Sequence, residues 1–347
     1  MLVTSEIILD TIILHKVGNK TRDEGIHYSQ SPLDLDEPIK ELLLKYFTSP
    51  FKSSEYYNLY HESDLSLNAV YTFASAIFDD PATLLEQSEN LARHLYEQST
   101  HAKVQKGEFY VTYLRDCVVD GEPIDAIGLF KSESRDTYLK VYPKENSFEI
   151  DSDDGININK LDKGCLIFNA EKEKGFMVAT VDNLNKGNDA LYWRDSFLKV
   201  KEREDNYYYT QNVMSLCKSF ITEKVPEEFE VSKADQANLL NRSVQYLREE
   251  ENFDLATFST QVMRDPDLIE TFKEYKDQYQ TERNLALSEE FAISAPAVKK
   301  QAKVMRSVIK LDKNFHVYVH GGRDSIIKGY DDERGLHFYQ LFFKEES

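Results

Sequence analysis

The apolar positions of this chain change their spacing at residue 107. Ahead of it they recur every three to four residues. Ile39, Leu42, Leu43 and Tyr46 follow Pro38 on one helical face that stops before Pro50. Two further helices are predicted over 67–78 and 82–100, the second with Leu84, Leu85, Leu91 and Leu95 inward and Pro81 just before its start. An apolar, β-branched run before them, Ile7, Ile8, Ile12, Ile13 and Leu14, reads as a strand closed by the turn chemistry of Gly18-Asn19-Lys20. From Gly107 the period is two. Phe109, Val111 and Tyr113 alternate with Tyr110, Thr112 and Leu114, and short runs follow at 124–130, 138–142, 147–150, 166–169 and 176–181. Gly, Asp and Asn punctuate them, which predicts a mainly antiparallel, meandering sheet.

The helical period returns after a charged stretch at 199–205. Tyr209, Val213, Leu216, Cys217, Phe220 and Ile221 share a stripe ahead of Pro226, and Ser232 with Asp235 forms a capping-box pattern for a helix to about Glu250. Shorter helices are predicted over 254–264 and 266–279, and another over 296–309. Strands at 315–319, 325–328 and 336–343 close the chain. The fold class is therefore α+β in two domains: 1–203, N-terminal helices with a mainly antiparallel sheet, and 204–347, a helical region closed by short C-terminal strands.

Composition narrows the function more than the fold. The 41% hydrophobic content, with 21 Tyr and 20 Phe, excludes a mostly disordered chain. No run approaches the roughly 18 apolar residues of a membrane span, and the acidic, Lys-free first fourteen residues are not a signal peptide. Cys117, Cys165 and Cys217 are scattered, as expected of free thiols in a reducing cytoplasm. Forty-two Lys and Arg against sixty-one Asp and Glu give −19, which repels nucleic acid and acidic membranes at long range. Any DNA contact must come from a local basic patch.

One segment supplies it. Between Ala295 and Lys328 stand eight basic residues, Lys299, Lys300, Lys303, Arg306, Lys310, Lys313, Arg323 and Lys328, and two acids, Asp312 and Asp324. That is +6, leaving −25 for the remainder. On a helix over 296–309, Lys299, Lys303, Arg306 and Lys310 line one face beside an apolar stripe of Val298, Ala302, Met305 and Ile309. Cations at that spacing can follow phosphates without reading bases; a solvated face is the plainer alternative.

Other chemistry is thin. The chain has no phosphate-loop signature, no His-Glu-x-x-His, no Gly-x-Ser-x-Gly and no Cys-x-x-Cys. Asp151-Ser152-Asp153-Asp154-Gly155 opens like a calcium loop, but Ile156 and Asp162 stand where Gly and Glu are required, so an acidic turn is expected. His316 and His320 would lie roughly 13 Å apart on one strand, too far to share a metal, and His94 and His101 are two helical turns apart. Glu122, Asp125, Glu133 and Arg135 could serve a metal-dependent nuclease if they converged. The aromatic clusters Tyr56-Tyr57, Tyr207-Tyr208-Tyr209 and Phe338-Tyr339 lack interleaved cations, so packing is expected rather than base stacking.

Several stretches together resemble the bacterial nucleoid-associated protein family of the NdpA/YejK type: Ile12-Ile13-Leu14-His15-Lys16, Gly107-Glu108-Phe109-Tyr110-Val111, Leu191-Tyr192-Trp193 ahead of the Phe220 helix, and Ser325-Ile326-Ile327-Lys328-Gly329. The resemblance implies nucleoid association in the cytoplasm and brings no catalytic residues, metal or cofactor. The chain departs from the family at its end, where Tyr330-Asp331-Asp332-Glu333 and Lys344-Glu345-Glu346 are acidic rather than proline-rich and basic. That argues against DNA contact by the extreme C-terminus. The expectation is a non-enzymatic protein that binds double-stranded DNA non-specifically through the basic segment, or meets nucleoid proteins through an acidic, DNA-mimicking surface, with no membrane partner and a homodimer open to it.

Overall fold

The computed structural model describes residues 2–3, 7–119, 121–184, 192–305, 307–312, 314–319, 326–343 and 345. The chain divides into two compact units, 1–203 and 204–347.

In the first unit the strands are β1 (Leu2–Val3), β2 (Ile8–Val17), β3 (Ile26–His27), β4 (Tyr57–Leu59), β5 (Gly107–Val119), β6 (Glu122–Ser132), β7 (Asp136–Lys144), β8 (Ser147–Gly155), β9 (Lys163–Phe168), β10 (Met177–Asp182) and β11 (Val200–Glu202). All but β7 and β8 join one antiparallel sheet in the order β11-β4-β10-β9-β6-β5-β2-β3, with β1 also on β5. The period of two explains its burial. Phe109, Val111, Ile127, Leu129, Cys165 and Ile167 point to one layer, and Tyr110, Leu114, Ala126, Phe130, Leu166 and Phe168 to the other. The first layer is covered by helices α2 (Ala69–Asp79) and α3 (Leu84–Gln98) and a π-helical stretch, Tyr192–Leu198. The second is covered by α1 (Glu37–Thr48), whose Phe47 stacks on Phe130 with ring centres 4.1 Å apart. Gly175, at φ +99°, sits where a Cβ would fall 2.0 Å from the Leu59 carbonyl oxygen, so only glycine fits beside β4.

β7 and β8 form a separate two-stranded ribbon, exposed along nearly its whole length. Asp151–Gly155, expected as an acidic turn, is instead the second half of β8. Its residues pair with β7, where Lys140 bonds Asp153 at 2.6 Å and the Thr137 hydroxyl donates to Asp154 at 2.8 Å.

The second unit contains α4 (Asn206–Ser219), α5 (Val225–Glu228), α6 (Lys233–Glu249), α7 (Leu255–Phe258), α8 (Pro266–Arg283) and α9 (Ala295–Gln301). Its strands are β12 (Asn252–Asp254), β13 (Glu290–Ala292), β14 (Ser307–Leu311), β15 (Phe315–Val319), β16 (Ile326–Asp331) and β17 (Leu336–Leu341), paired as three two-stranded antiparallel sheets, β12 with β13 across the intervening helices and the other two as hairpins. The stripe of α4 enters the core with Leu239, Leu240 and Leu247 of α6 and Phe272 of α8. The capping box forms: the Asp235 N–H donates to Ser232 Oγ, and Asp235 Oδ2 accepts from the Ser232 N–H. The helix expected over 254–264 is α7 followed by a π turn, Ser259–Met263, stopped by Arg264 at φ +67°. The α+β class holds for the whole chain.

The helix expected over 296–309 is shorter. Its last bonds run from the Val304 and Met305 N–H groups to the Gln301 carbonyl, and Ser307–Leu311 then pairs with Phe315–Val319. Val308 and Ile309 are β-branched, and pairing partners eight to ten residues on, Val317 and Tyr318, convert them from helix to strand.

Candidate nucleic-acid interface

Lys299 and Lys303 keep the i, i+4 relation expected of them, because helical hydrogen bonds continue from Ala302 N–H to the Val298 carbonyl and on to Met305. Val298 and Met305 are buried and Ala302 packs against the core, so the apolar stripe anchors this turn and leaves both lysines exposed. Among the described residues neither makes an ion pair. Lys300 turns to α4, its Nζ 5.7 Å from the centre of the Tyr207 ring. Lys310 lies on β14 opposite His316, off the helical face, and Lys328 is exposed on β16 opposite Tyr339. Arg306, Lys313 and Arg323 lie outside the described residues. The continuous row of four cations on one helix is therefore replaced by a pair, Lys299 and Lys303.

That pair borders an open groove of about 1720 Å³ against α6. Three arginines share it: Arg242 and Arg248 from α6, and Arg264 at the end of the π turn. The positive φ of Arg264 is costly for a residue with a Cβ, and its Nε donates to the Gln261 carbonyl at 3.1 Å. Sequence reasoning missed these three. A signal existed for α6, where Asn238, Asn241, Arg242, Gln245, Arg248 and Glu249 recur at helical spacing as a polar stripe toward the groove. The groove also carries six acids, Glu230, Asp235, Glu249, Glu250, Glu251 and Asp265. Its field is thus mixed: Arg248 is followed directly by Glu249, Glu250 and Glu251 at the end of α6, whereas the α9 side contributes Lys299 and Lys303.

The other candidates disperse. Glu122 starts β6 and Glu133 follows its end, so the strand holds them apart. Asp125 accepts a hydrogen bond from the Tyr113 hydroxyl at 2.8 Å. Glu133 belongs to a buried network instead. Lys131 and Lys163 face each other across β6 and β9, fully buried, with Lys131 Nζ 3.1 Å from Glu133 and Lys163 Nζ 2.8 Å from Asp182. The Tyr192 hydroxyl donates to Glu133 at 2.7 Å. Burial, partly opposed by Glu133, pulls the Lys131 ammonium below its ordinary range. Glu133 Oε2 takes the Gln105 N–H as well, so protein donors engage both oxygens of this carboxylate. Among the described residues no cluster of His, Cys, Asp and Glu could hold a metal ion. The three cysteines are buried free thiols, and desolvation pushes that of Cys117 up to about 12. Tyr56, Tyr57, Tyr207 and Tyr208 are core residues, whereas Phe338 is exposed, lying over Gly329 of the partner strand.

An antiparallel-sheet unit with a buried acid–lysine network, joined to a helical unit with a lysine-bordered groove, describes an α+β protein. Comparison with protein families then places the chain. The model of the nucleoid-associated protein YejK family matches residues 13–335, and the chain belongs to that family. No curated protein matches it significantly.

Proposed function

We propose that this nucleoid-associated chain contacts double-stranded DNA directly and without sequence preference, through Lys299 and Lys303 and the neighbouring Arg248 and Arg264. The observation that carries this reading is the free lysine pair. Many of the described cations, Arg115, Lys131, Lys163, Lys172 and Arg203 among them, are bound to an acid. Lys299 and Lys303 are exposed, one helical turn apart and without an acid partner among the described residues, which suits point-charge contact with successive phosphates. The rest of the chain repels the duplex, so attraction is confined to about a Debye length, roughly 8 Å at physiological salt. No catalytic step is assigned to the site; the protein works in the cytoplasm, at the nucleoid, without a cofactor.

The test is anisotropy of a labelled duplex titrated at several salt concentrations. Log affinity should fall linearly with log salt at about −0.9 per phosphate neutralised. In Lys299→Glu/Lys303→Glu the slope should shrink by about two and the affinity at low salt by more than tenfold. Unchanged affinity in that variant would refute the assignment. A second reading is favoured by the six acids of the groove: a protein ligand carrying both signs of charge would satisfy both walls. Flat anisotropy of the wild type at low salt is its signature.

A further inference from the structure

The β7–β8 ribbon has a use for which neither the sheet nor the groove accounts. Its register places Leu139 opposite Ser152, Val141 opposite Ile150 and Pro143 opposite Phe148, so all of these lie on one face. Leu139 is 73% exposed, Val141 58%, Phe148 71% and Ile150 65%. Together they leave roughly 400–500 Å² of apolar surface in water, the size of patch that on a monomer usually marks an interaction site. The opposite face alternates Tyr138 and Tyr142 with the charges of Lys140, Lys144, Glu149, Asp151 and Asp153.

The ribbon is built to be presented. Asp162 Oδ2 accepts the N–H groups of both Glu133 and Ser134 at 2.7 Å, fixing the point where the chain leaves β6. Asn157 donates to Asp136 at 2.7 Å and closes the base. Beyond that root β7 and β8 pair with each other and not with the sheet.

Charge selects the occupant. Residues 136–155 hold six acids and two lysines, a net −4, and both lysines are already paired, Lys140 with Asp153 and Lys144 with Glu149. Two copies of the arm would bring unpaired acids together, and a duplex would meet the same repulsion. We infer that the β7–β8 arm docks a basic protein surface, laying its apolar face on an apolar strip rimmed by Lys or Arg. This inference does not depend on the lysine groove: the two sites share no residue and lie in different units.

The test uses the full chain and a labelled 18-residue Lys/Leu peptide that forms an amphipathic helix. A Lys/Ser peptide of equal charge and a Glu/Leu peptide of equal apolarity serve as comparators. The wild type should bind the Lys/Leu peptide at least tenfold more tightly than either. Val141→Ser/Phe148→Ser/Ile150→Ser should reduce that affinity to the Lys/Ser level while leaving the circular dichroism unchanged, since none of these side chains enters the core. Tyr138→Ser/Tyr142→Ser, on the other face, should bind as the wild type does. Equal binding by the triple variant would overturn the inference, as would tight binding of the Glu/Leu peptide. So would a dimer, seen by sedimentation, that only the triple variant loses, because the occupant is then a second copy. Loss of duplex affinity in the triple variant would make the arm a DNA contact instead.

Discussion

His15 shows how one buried side chain ties stability to pH. It is 1% exposed; its Nδ1 accepts the Ser29 N–H at 3.1 Å, so Nε2 carries the proton and donates to Ser88 Oγ at 2.8 Å. The Ser88 hydroxyl donates in turn to the Leu85 carbonyl. A second proton on Nδ1 would face the Ser29 N–H, and desolvation pushes the group down to about 4. Above pH 6.5 the ring is neutral whether the chain is folded or not. Between 6.5 and 4 the unfolded chain takes the proton first, so stability falls as pH falls and the loss is complete below the folded value. Urea unfolding at pH 7 and 4.5 should therefore show the wild type losing about 2 kcal/mol more than His15→Gln over that interval. Parallel losses would mean that His15 protonates in place. The sequence marked His15 only within a family-like strand; its neutrality depends on partners 14 and 73 residues away.

At the scale of elements, period carried most of the information. The strands of the large sheet could be read because alternate residues feed two separate layers, and α1, α2, α3 and α6 because each has an apolar stripe with caps or Pro at its ends. What could not be read was decided at a distance. β14 keeps the apolar spacing of a helix, and only its pairing with β15 makes it a strand. Asp151–Gly155 is drawn into β8 by Lys140 and Thr137. The π turns leave no period in the sequence, yet one of them sets Arg264 at the groove. The candidate site was legible to the same extent: the Lys299–Lys303 pair is local, whereas Arg242, Arg248 and Arg264 join it through packing. Caps also act over long range. Asn68 caps α2 by accepting the Tyr71 N–H at 3.0 Å, and its amide donates to the carbonyls of Tyr60 and Leu198, both at 3.0 Å. One side chain thus joins α2 to the segments flanking β4 and β11. Asn68→Ala should cost about 2–4 kcal/mol, a lost cap plus buried carbonyls left bare. Chemical denaturation measures this, and a loss below 1 kcal/mol would show that water replaces the amide.

For the whole molecule, the distribution of core and charge leads to one experiment. Every residue of the two sandwich layers lies between Ile7 and Leu198, and every residue of the other core between Val213 and Met305. Among the described residues each apolar cluster draws its side chains from one unit, so each unit has the material to fold alone. Charge divides less evenly. Residues 1–203 hold 23 basic and 35 acidic residues, net −12; residues 204–347 hold 19 and 26, net −7, and include all eight cations of the basic segment. A fragment of 204–347 escapes the field of the more acidic unit while keeping Lys299 and Lys303. It should fold cooperatively and bind the duplex at least as tightly as the full chain, with the same salt slope, because the number of phosphates neutralised is unchanged. Residues 1–203 should unfold in a single transition and leave the anisotropy flat at every salt concentration. If instead the 1–203 fragment binds DNA and 204–347 does not, the groove is not the contact. The nucleoid would then be reached through the unit that carries the β7–β8 arm.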